Sequence, residues 1–242
     1  MTEFQIKLAG IPMRIRAIYP QTEVFCRAYL TQETPLFEIA MKREDLDHIR
    51  KVSEENAARE GREPEAAGDP YLEALALYDR ITEELLSYGV LLFHSCAVAA
   101  GGKAYLFTAK TGVGKTTHAR LWLKNIPGCH IINGDKPLLR FTDEGVSVCG
   151  TPWQGKENYG TNEILPLKAI CLLERGAENR ITPVGFHEAF SVLLKQSHHP
   201  GGSAGLPASI KLLEQLQQIP MYRMQCRMDD AAAWTAYRGM TE

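Results

Sequence analysis

The stretch that decides the fold reads Lys103-Ala-Tyr-Leu-Phe-Thr-Ala109-Lys-Thr-Gly112-Val-Gly114-Lys115-Thr116-Thr117. It follows the P-loop pattern G-x-x-x-x-G-K-[ST], except that Ala109 takes the place of the first glycine. An apolar strand pattern precedes the loop, and an amphipathic helix pattern follows it as far as Pro127-Gly128. A strand, a glycine-rich loop and a helix in this order are the context in which such a sequence binds phosphate groups.

The residue types in the loop explain why a nucleoside triphosphate would bind there. Gly112 and Gly114 let the backbone turn so that successive N–H groups point inward at a phosphate. The N-terminus of the following helix adds about half a positive charge, and Lys115 adds a full one. The predicted nucleotide-binding residues are Thr111, Gly112, Val113, Gly114, Lys115, Thr116 and Thr117. The Thr116 hydroxyl is the expected Mg²⁺ ligand.

A metal-binding carboxylate is expected at the end of a strand near the loop. Asp135 is the candidate, because it closes the stretch His130-Ile-Ile-Asn-Gly-Asp135 soon after the loop helix. Asp135 is therefore predicted to hold Mg²⁺ together with Thr116. The alternative is a plain Asn-Gly-Asp turn, which is a common hairpin signal.

His94 is a second candidate for the same cleft. It follows the apolar residues 91–93, in a strand expected to lie beside the one that leads into the loop. Its side chain is then predicted to reach the phosphate site from the end of that strand. The alternative is a histidine that packs in the core with its polar atoms satisfied there.

Three segments, 93–98, 105–117 and 131–136, resemble the catalytic domain of HPr kinase/phosphorylase, which shares a fold group with phosphoenolpyruvate carboxykinase. The resemblance covers about residues 88–175. It implies an α/β, mixed-sheet P-loop core, ATP and Mg²⁺ as cofactors, and a histidine that is matched by His94. It also implies two adjacent aspartates after the loop helix.

The aspartate pair is where this chain departs from the family. Asp135 matches the second aspartate, the metal ligand, but Gly134 stands where the first, which resembles a general base, would be. General-base assistance contributes roughly 10²–10⁴-fold to a rate, so its loss would weaken catalysis without preventing ATP binding. His94 is the nearest replacement in the sequence. On the same grounds, Gly134→Asp is expected to raise turnover.

Residues 150–160 are predicted to form a loop because they are rich in glycine and proline. Trp153 could stack on a nucleotide base, and Lys156 could neutralise charge on the transferring phosphoryl group. Lys156 therefore joins His94, Lys115 and Asp135 as a predicted catalytic residue. The alternative is a surface loop anchored by a buried tryptophan.

The rest of the chain suggests two domains. Residues 1–68 are predicted to form a small α/β lobe, with a strand pair at 4–8 and 13–17 and a helix over 23–30. Residues 53–69 have almost no large apolar side chains, which is typical of a linker or a solvated helix end. Residues 69–242 are predicted to form the nucleotide-binding domain, with a helical C-terminal part.

Composition excludes several classes of protein. The formal net charge of −2 on 242 residues does not suggest a nucleic-acid partner, and no apolar run approaches the roughly 20 residues of a membrane span. The six cysteines are scattered and show no C-x-x-C spacing. Buried reduced thiols and the lack of a leader pattern favour a cytoplasmic protein without a membrane partner. The family resemblance leaves a homo-oligomer possible.

Three functions are compatible with these features. The first is an ATP-dependent kinase that transfers the γ-phosphoryl group to a hydroxyl of a small molecule, a peptide or a serine of a carrier protein. The second is a nucleotide-binding sensor or recognition module with little or no turnover, which the glycine at position 134 favours. The third is a nucleotide hydrolase.

Overall fold

A computed structural model describes residues 1–59, 61, 63, 67–110, 112–199 and 205–241. These residues form two compact units, Met1–Glu84 and Leu85–Glu242. Both units combine helices with strands, which confirms the predicted mixed α/β class. The predicted phosphate ligand Thr111 lies outside the described residues.

The first unit is built on a three-stranded sheet in the order β1–β2–β3. Its elements are β1 (Thr2–Leu8), β2 (Ile11–Ala17), α1 (Gln21–Phe25), a 3₁₀ turn (Arg27–Tyr29), β3 (Phe37–Ala40), α2 (Arg43–Arg59) and most of α3 (Asp69–Leu86). The predicted strand pair is present as the β1–β2 hairpin. The predicted helix over 23–30 is wrong in extent, because Tyr29 N–H donates to Cys26 O in a separate 3₁₀ turn.

Helix α3 belongs to the first unit as far as Glu84, although its sequence suggested that it opens the nucleotide-binding domain at residue 69. Glu73 on this helix is fully buried, and its carboxylate ties α3 to the segment that follows β2. Its hydrogen-bond donors are the backbone N–H groups of Ile18 and Tyr19 and the hydroxyl of Thr22. A buried carboxylate needs such partners, and they hold α3 within the first unit.

The second unit contains the glycine-rich loop and a larger mixed sheet. Its elements are β4 (Val90–Leu92), β5 (Cys96–Ala100), β6 (Lys103–Thr108), α4 (Lys115–Asn125), β7 (His130–Asn133), β8 (Leu138–Thr142), β9 (Gly145–Cys149), β10 (Ile164–Arg175), β11 (Arg180–Pro183), α5 (Phe186–Gln196), α6 (Gly205–Glu214), a 3₁₀ turn (Gln215–Gln218), β12 (Met221–Cys226) and α7 (Asp230–Thr241). The C-terminal part was expected to be helical. It also contains a strand, β12, because that segment pairs in parallel with β10.

The directions of the strands place the predicted site residues at one edge of the sheet. Part of the sheet runs in the order β12–β10–β6–β5–β7. Strands β12, β10 and β6 are parallel, whereas β5 is antiparallel to both β6 and β7. Strand β7 therefore points the same way as β6. The carboxyl ends of β6, β7, β10 and β12 lie together, and this edge is where an α/β sheet usually binds ligands.

The central strands are buried on both faces. Successive side chains of a strand point to opposite faces, and here each face has its own cover. Val98 and Phe107 pack in a cluster with Trp122 of α4 and Ala236 of α7, whereas their neighbours Ala97 and Leu106 pack in a cluster with Leu193 of α5 and Leu213 of α6. This two-sided burial explains the continuous apolar sequence of β5 and β6.

The cysteines agree with the expectation from composition. All six cysteines are free thiols, and only Cys129 is partly exposed. Within the parts of the chain that the structure describes, no helix has the length and apolar character to cross a bilayer.

Helix α4 carries a buried histidine one turn into the helix. His118 is 1% exposed and lies edge-on to Phe107, with the ring centroids 4.6 Å apart. Neither of its ring nitrogens has a hydrogen-bond partner among the described residues. Burial lowers the pKa of His118 from 6.5 to about 4, so the ring is neutral near neutral pH. His118 is therefore part of the core and not of the candidate site.

We predict that acidification destabilises the second unit through His118. Because burial lowers its pKa to about 4 from 6.5, the unfolded chain binds more protons between these two values. The contribution of the neutral His118 ring to the free energy of unfolding is complete above pH 6.5, and about 2 kcal/mol of it is lost by pH 5. Chemical denaturation of His118→Leu at pH 7.5 and 5 should show a smaller loss than in the wild type. The exposed His187→Leu should behave as the wild type, and equal losses in all three proteins would contradict the prediction.

Candidate functional site

The loop of residues 109–114, called here the glycine loop, connects β6 to α4. Gly112 and Gly114 have φ angles of 81° and 121°, which residues with a side chain rarely adopt. Ala109 is not among the described residues with positive φ. Alanine therefore fits the first position of the motif without backbone strain, and the glycine that the pattern usually has there is not required.

Helix α4 presents uncapped N–H groups toward the glycine loop. Its N-cap residue, Gly114, has no side chain with which to cap the helix. The N–H of His118 donates to Gly114 O at 2.9 Å, as the first bond of the helix. The N–H groups of Lys115, Thr116 and Thr117 precede that bond, and a helix leaves such groups for an external acceptor. An anion is the partner that this helix end favours.

Lys115 adds a cation to the same place. Its Nζ atom donates to Ala109 O at 3.2 Å, so the side chain folds back along the glycine loop. Burial lowers the pKa of Lys115, while the Asp135 carboxylate and the Cys96 thiol act in the opposite direction. The ammonium group therefore lies within electrostatic range of Asp135.

His94 and Asp135 meet at the carboxyl end of β6. His94 Nε2 lies 3.2 Å from Asp135 Oδ1. The Thr108 hydroxyl at the end of β6 donates to His94 O at 3.2 Å, and the Ser95 N–H donates to Asp135 O at 3.1 Å. These bonds place the pair beside the start of the glycine loop. The sequence alternative for His94, a core histidine, does not fit, because its side chain is 36% exposed.

The surroundings of Asp135 favour its charged form. Burial raises the pKa of Asp135, but the hydrogen bond from His94 and the charges of His94, Lys136 and Lys115 outweigh burial, so the pKa lies below its usual value. The carboxylate is consequently ionised at neutral pH and is suited to binding a cation.

Asn133 fixes the backbone that carries Asp135. Its Oδ1 atom accepts the N–H groups of Asp135 at 2.9 Å and Lys136 at 2.6 Å. Its Nδ2 atom donates to the Thr151 hydroxyl at 2.9 Å. Such bonds are typical of an Asx turn. The turn is not a hairpin, because β7 pairs with β5 whereas β8 pairs with β4 and β9.

Gly134 is covered by the loop of residues 151–160, called here the covering loop. The Gly134 N–H donates to Tyr159 O at 2.9 Å. A Cβ atom at position 134 would lie 2.8 Å from Gln154 O. Backbone thus occupies the space that a side chain would need. This contact argues against the expectation that Gly134→Asp raises turnover, because an aspartate requires the covering loop to move.

The covering loop has a buried beginning and an exposed end. Trp153 is 7% exposed, whereas Lys156 is exposed to solvent. Glu157 pairs with Arg120 of α4, and the Arg120 guanidinium lies 5.9 Å from the centroid of the Tyr159 ring. These contacts attach the exposed end of the loop to the helix that begins at the glycine loop.

Lys156 is not brought together with the other predicted catalytic residues. No described contact joins it to His94, Lys115 or Asp135, although the preceding Gly155 approaches Asp135 so closely that a Cβ atom at Gly155 would lie 3.0 Å from Asp135 Cβ. Its assignment to catalysis therefore stays a prediction.

The oxygen donors at this edge fit a hard divalent cation. Thr116 lies half-buried in the first turn of α4, next in the chain to Lys115, whose ammonium interacts with the ionised carboxylate of Asp135. Across the described ranges, no group of three or more His, Cys, Asp or Glu side chains could form a metal cage. Mg²⁺ does not need one, because it is commonly held by one or two protein oxygens, substrate phosphates and water.

Two residues at this edge were missed by the sequence analysis. Arg175, the last residue of β10, donates from Nη2 to Gly112 O at 2.7 Å. Met228 lies against Gly114, since a Cβ atom on that glycine would be 2.8 Å from Met228 Cε. Arg175 and Gly112 are 63 positions apart in the chain, and no local pattern links the two.

The fold and the site define a mixed α/β unit with a lysine-bearing glycine loop between a strand and a helix, and with a histidine–aspartate pair beside that loop. No protein-family model matches the chain, and neither does any curated protein. Among solved structures, the chain is similar to the Hpr(Ser) kinase/phosphatase from Coxiella burnetii, with 8% sequence identity and a TM-score of 0.33. That similarity covers 62% of this chain and 99% of the other. The functional argument therefore depends on the site itself.

We predict that Gly134→Ala destabilises the second unit. The added methyl group would lie 2.8 Å from Gln154 O, and overpacking of this kind costs about 1–3 kcal/mol. Gly185→Ala is the matched control, because a Cβ atom there meets no atom within 4 Å and its φ is −75°. Thermal melts should show a larger drop in midpoint for Gly134→Ala than for Gly185→Ala, whose only cost is alanine at a helix N-cap. Equal midpoints in the two variants would show that the covering loop does not pack on Gly134.

Proposed function

We propose that the protein is an ATP-dependent phosphotransferase that moves the γ-phosphoryl group to a hydroxyl of a small molecule, a peptide or a protein serine. The observation that carries this proposal is the meeting of Lys115, at the uncapped start of α4, with the His94–Asp135 pair at one edge of the sheet. We also propose, from the three motif segments, that the second unit has the HPr kinase/phosphoenolpyruvate carboxykinase type of P-loop fold.

In this proposal the glycine loop and the first turn of α4 bind the triphosphate. Gly112, Val113 and Gly114 supply the backbone curve, and Thr111 is the residue that precedes them in the sequence. The N–H groups of Lys115, Thr116 and Thr117 point from a helix start that has no side-chain cap. Lys115 neutralises charge on the β- and γ-phosphates, since its Nζ atom already lies along the glycine loop.

Thr116 and Asp135 are the proposed ligands of Mg²⁺. Both offer oxygen atoms, which this cation prefers, and the lowered pKa of Asp135 keeps its carboxylate ionised. When bound, Mg²⁺ would neutralise charge on the β- and γ-phosphate oxygens.

His94 is the proposed proton acceptor of the reaction. As the acceptor oxygen bonds to the γ-phosphorus and the bond to ADP breaks, the proton of the hydroxyl would pass to His94. Asp135 Oδ1 lies 3.2 Å from His94 Nε2, so the carboxylate would stabilise the imidazolium that forms. This role replaces the base that the family resemblance places at position 134, where the covering loop leaves no room for a side chain.

A recognition module that binds nucleotide without turnover is the second candidate. The specific observation in its favour is the packing of Gln154 O on Gly134, which fills the place of the expected base with backbone. A nucleotide hydrolase uses the same residues with water as the acceptor. Measurable ATP turnover would distinguish the kinase and the hydrolase from the recognition module. The identity of the phosphorylated product would then distinguish the kinase from the hydrolase.

We predict that Lys115→Ala weakens ATP binding about 10- to 100-fold, because the variant loses a charged hydrogen-bond donor to the phosphates. The measurement is a titration of the purified protein with Mg-ATP by calorimetry. Lys103→Ala is the matched control, since Lys103 is an exposed lysine at the opposite end of β6. An ATP affinity that Lys115→Ala leaves unchanged would overturn the assignment of the glycine loop.

We predict that His94→Ala lowers phosphoryl transfer by roughly 10²–10⁴-fold and leaves ATP affinity nearly unchanged, because proton transfer contributes to the reaction and not to binding. ATP consumption and product formation should be measured against a panel of hydroxyl compounds and peptides. The exposed His187→Ala serves as the control, and Asp135→Asn should weaken the response to Mg²⁺. If the wild type binds ATP tightly but transfers phosphate to no acceptor, including water, the recognition module is the better assignment.

A further inference from the structure

The two sides of the glycine loop carry different chemistry. Strand β6 lies between β5 and β10 in the sheet. On the side of β5 and β7 are the paired side chains of His94 and Asp135, which suit the reacting end of a triphosphate. On the side of β10 and β12 are Arg175 and Met228, to which the proposed reaction gives no role.

Arg175 fixes the orientation of one peptide group in the glycine loop. Its Nη2 atom donates to Gly112 O at 2.7 Å. The carbonyl of Gly112 and the N–H of Val113 belong to one planar trans peptide and therefore point in opposite directions. Arg175 thus holds the Val113 N–H on the side of the peptide away from its guanidinium, where the N–H donates to Lys110 O at 3.3 Å. A bound phosphate would replace Lys110 O as the acceptor of this N–H, as in other loops of this kind.

Met228 is an apolar side chain held at the edge of the polar loop. It is 52% exposed, and its methyl group lies against Gly114 at the start of α4. Methionine is unbranched and polarizable, and its sulfur makes favourable contacts with flat aromatic rings. The exposed part of Met228 therefore suits a flat, aromatic ligand group.

The neighbours of Met228 hold its backbone in place. The Arg227 N–H donates to Asn179 Oδ1 at 2.8 Å, and Asn179 Nδ2 donates to Asp229 Oδ1 at 2.7 Å. Asp229 Oδ1 also accepts the Ala232 N–H at 3.2 Å, which caps the start of α7. Both residues next to Met228 are thus fixed by hydrogen bonds, and the thioether is presented to the loop from a defined backbone position.

We propose that the nucleoside part of the bound nucleotide lies on the β10–β12 side of the glycine loop, with its base against Met228 and with Arg175 as the residue that positions the loop. This inference rests on the proposed nucleotide-binding function. A triphosphate whose γ end lies beside His94 and Asp135 must leave the loop on the opposite side, which is the side of Met228. Trp153, the base contact suggested by the sequence, is 7% exposed and offers no free ring face.

Nucleoside and phosphate contacts are separated by comparing ATP with inorganic tripolyphosphate, each with Mg²⁺. Met228→Ala should weaken ATP binding roughly three- to tenfold and leave tripolyphosphate binding unchanged, because the lost contact is with the base alone. Met228→Leu, which retains an apolar contact, should keep most of the ATP affinity. Met228 offers no hydrogen bond to a base edge, so GTP should lose affinity with Met228→Ala by the same factor as ATP.

Arg175→Gln tests the positioning residue with the same two ligands. It should weaken ATP and tripolyphosphate by equal factors, because both use the N–H groups of the glycine loop, and Arg175→Lys should recover part of the loss. Arg180→Gln, an exposed arginine on β11, is the matched control. Thermal melts of the ligand-free variants separate a change in affinity from a change in folding. A loss confined to ATP, or no loss at all, would overturn the role of Arg175.

The Met228 variants test where the nucleoside lies, and their results do not depend on whether the Arg175 variants fold. If Met228→Ala weakens ATP and tripolyphosphate equally, or changes neither, the base does not contact Met228 and the inference is wrong. If the variant tightens both ligands, Met228 covers the loop and the inference is also wrong. The Lys115→Ala variant tests the proposed function separately. If Lys115→Ala binds ATP as tightly as the wild type, nucleotide does not bind at the glycine loop at all.

Discussion

The site depends on one buried side-chain amide, that of Asn133. Its oxygen accepts the N–H groups of Asp135 and Lys136, and its nitrogen donates to Thr151. Asn133 is fully buried, so these bonds replace ones that the unfolded chain makes with water, and loss of the amide would remove the acceptor of the partly buried Asp135 N–H. The same amide therefore orients the carboxylate beside the glycine loop and anchors the beginning of the covering loop.

The covering loop consequently has two parts that are held with different strength. Thr151 and Trp153 are buried, and the Thr151 hydroxyl also donates to Lys136 O at 2.8 Å. The exposed end is held by the hydrogen bond from the Gly134 N–H to Tyr159 O and by the ion pair of Arg120 with Glu157, which solvent screens, so the ion pair contributes little to stability. Lys156 lies in the weakly held part. A local opening that moves Lys156 therefore costs less free energy than one that displaces Asp135.

The features that local sequence determines could be predicted, and those that depend on distant pairing could not. The strand before the glycine loop, the loop itself and α4 follow from apolar periodicity and from two glycines, and each is present where expected. The C-terminal strand β12 was missed because its pairing partner, β10, lies far away in the sequence. Glu73 gave no local signal either, since its hydrogen bonds with Ile18, Tyr19 and Thr22, which help to hold α3 in the first unit, join residues that lie far apart in the sequence.

Gly134 shows why a motif alone is insufficient to assign a mechanism. In the sequence it is a missing carboxylate, and a single substitution would be expected to restore it. In the structure the space is filled by Gln154 O, and the Gly134 N–H is used by Tyr159 O, so the glycine and the covering loop fit each other. An aspartate at this position would have to displace both contacts. Proton transfer, if the protein performs it, therefore falls to a group that already faces the site, and His94 satisfies this condition because its imidazole is paired with an ionised Asp135.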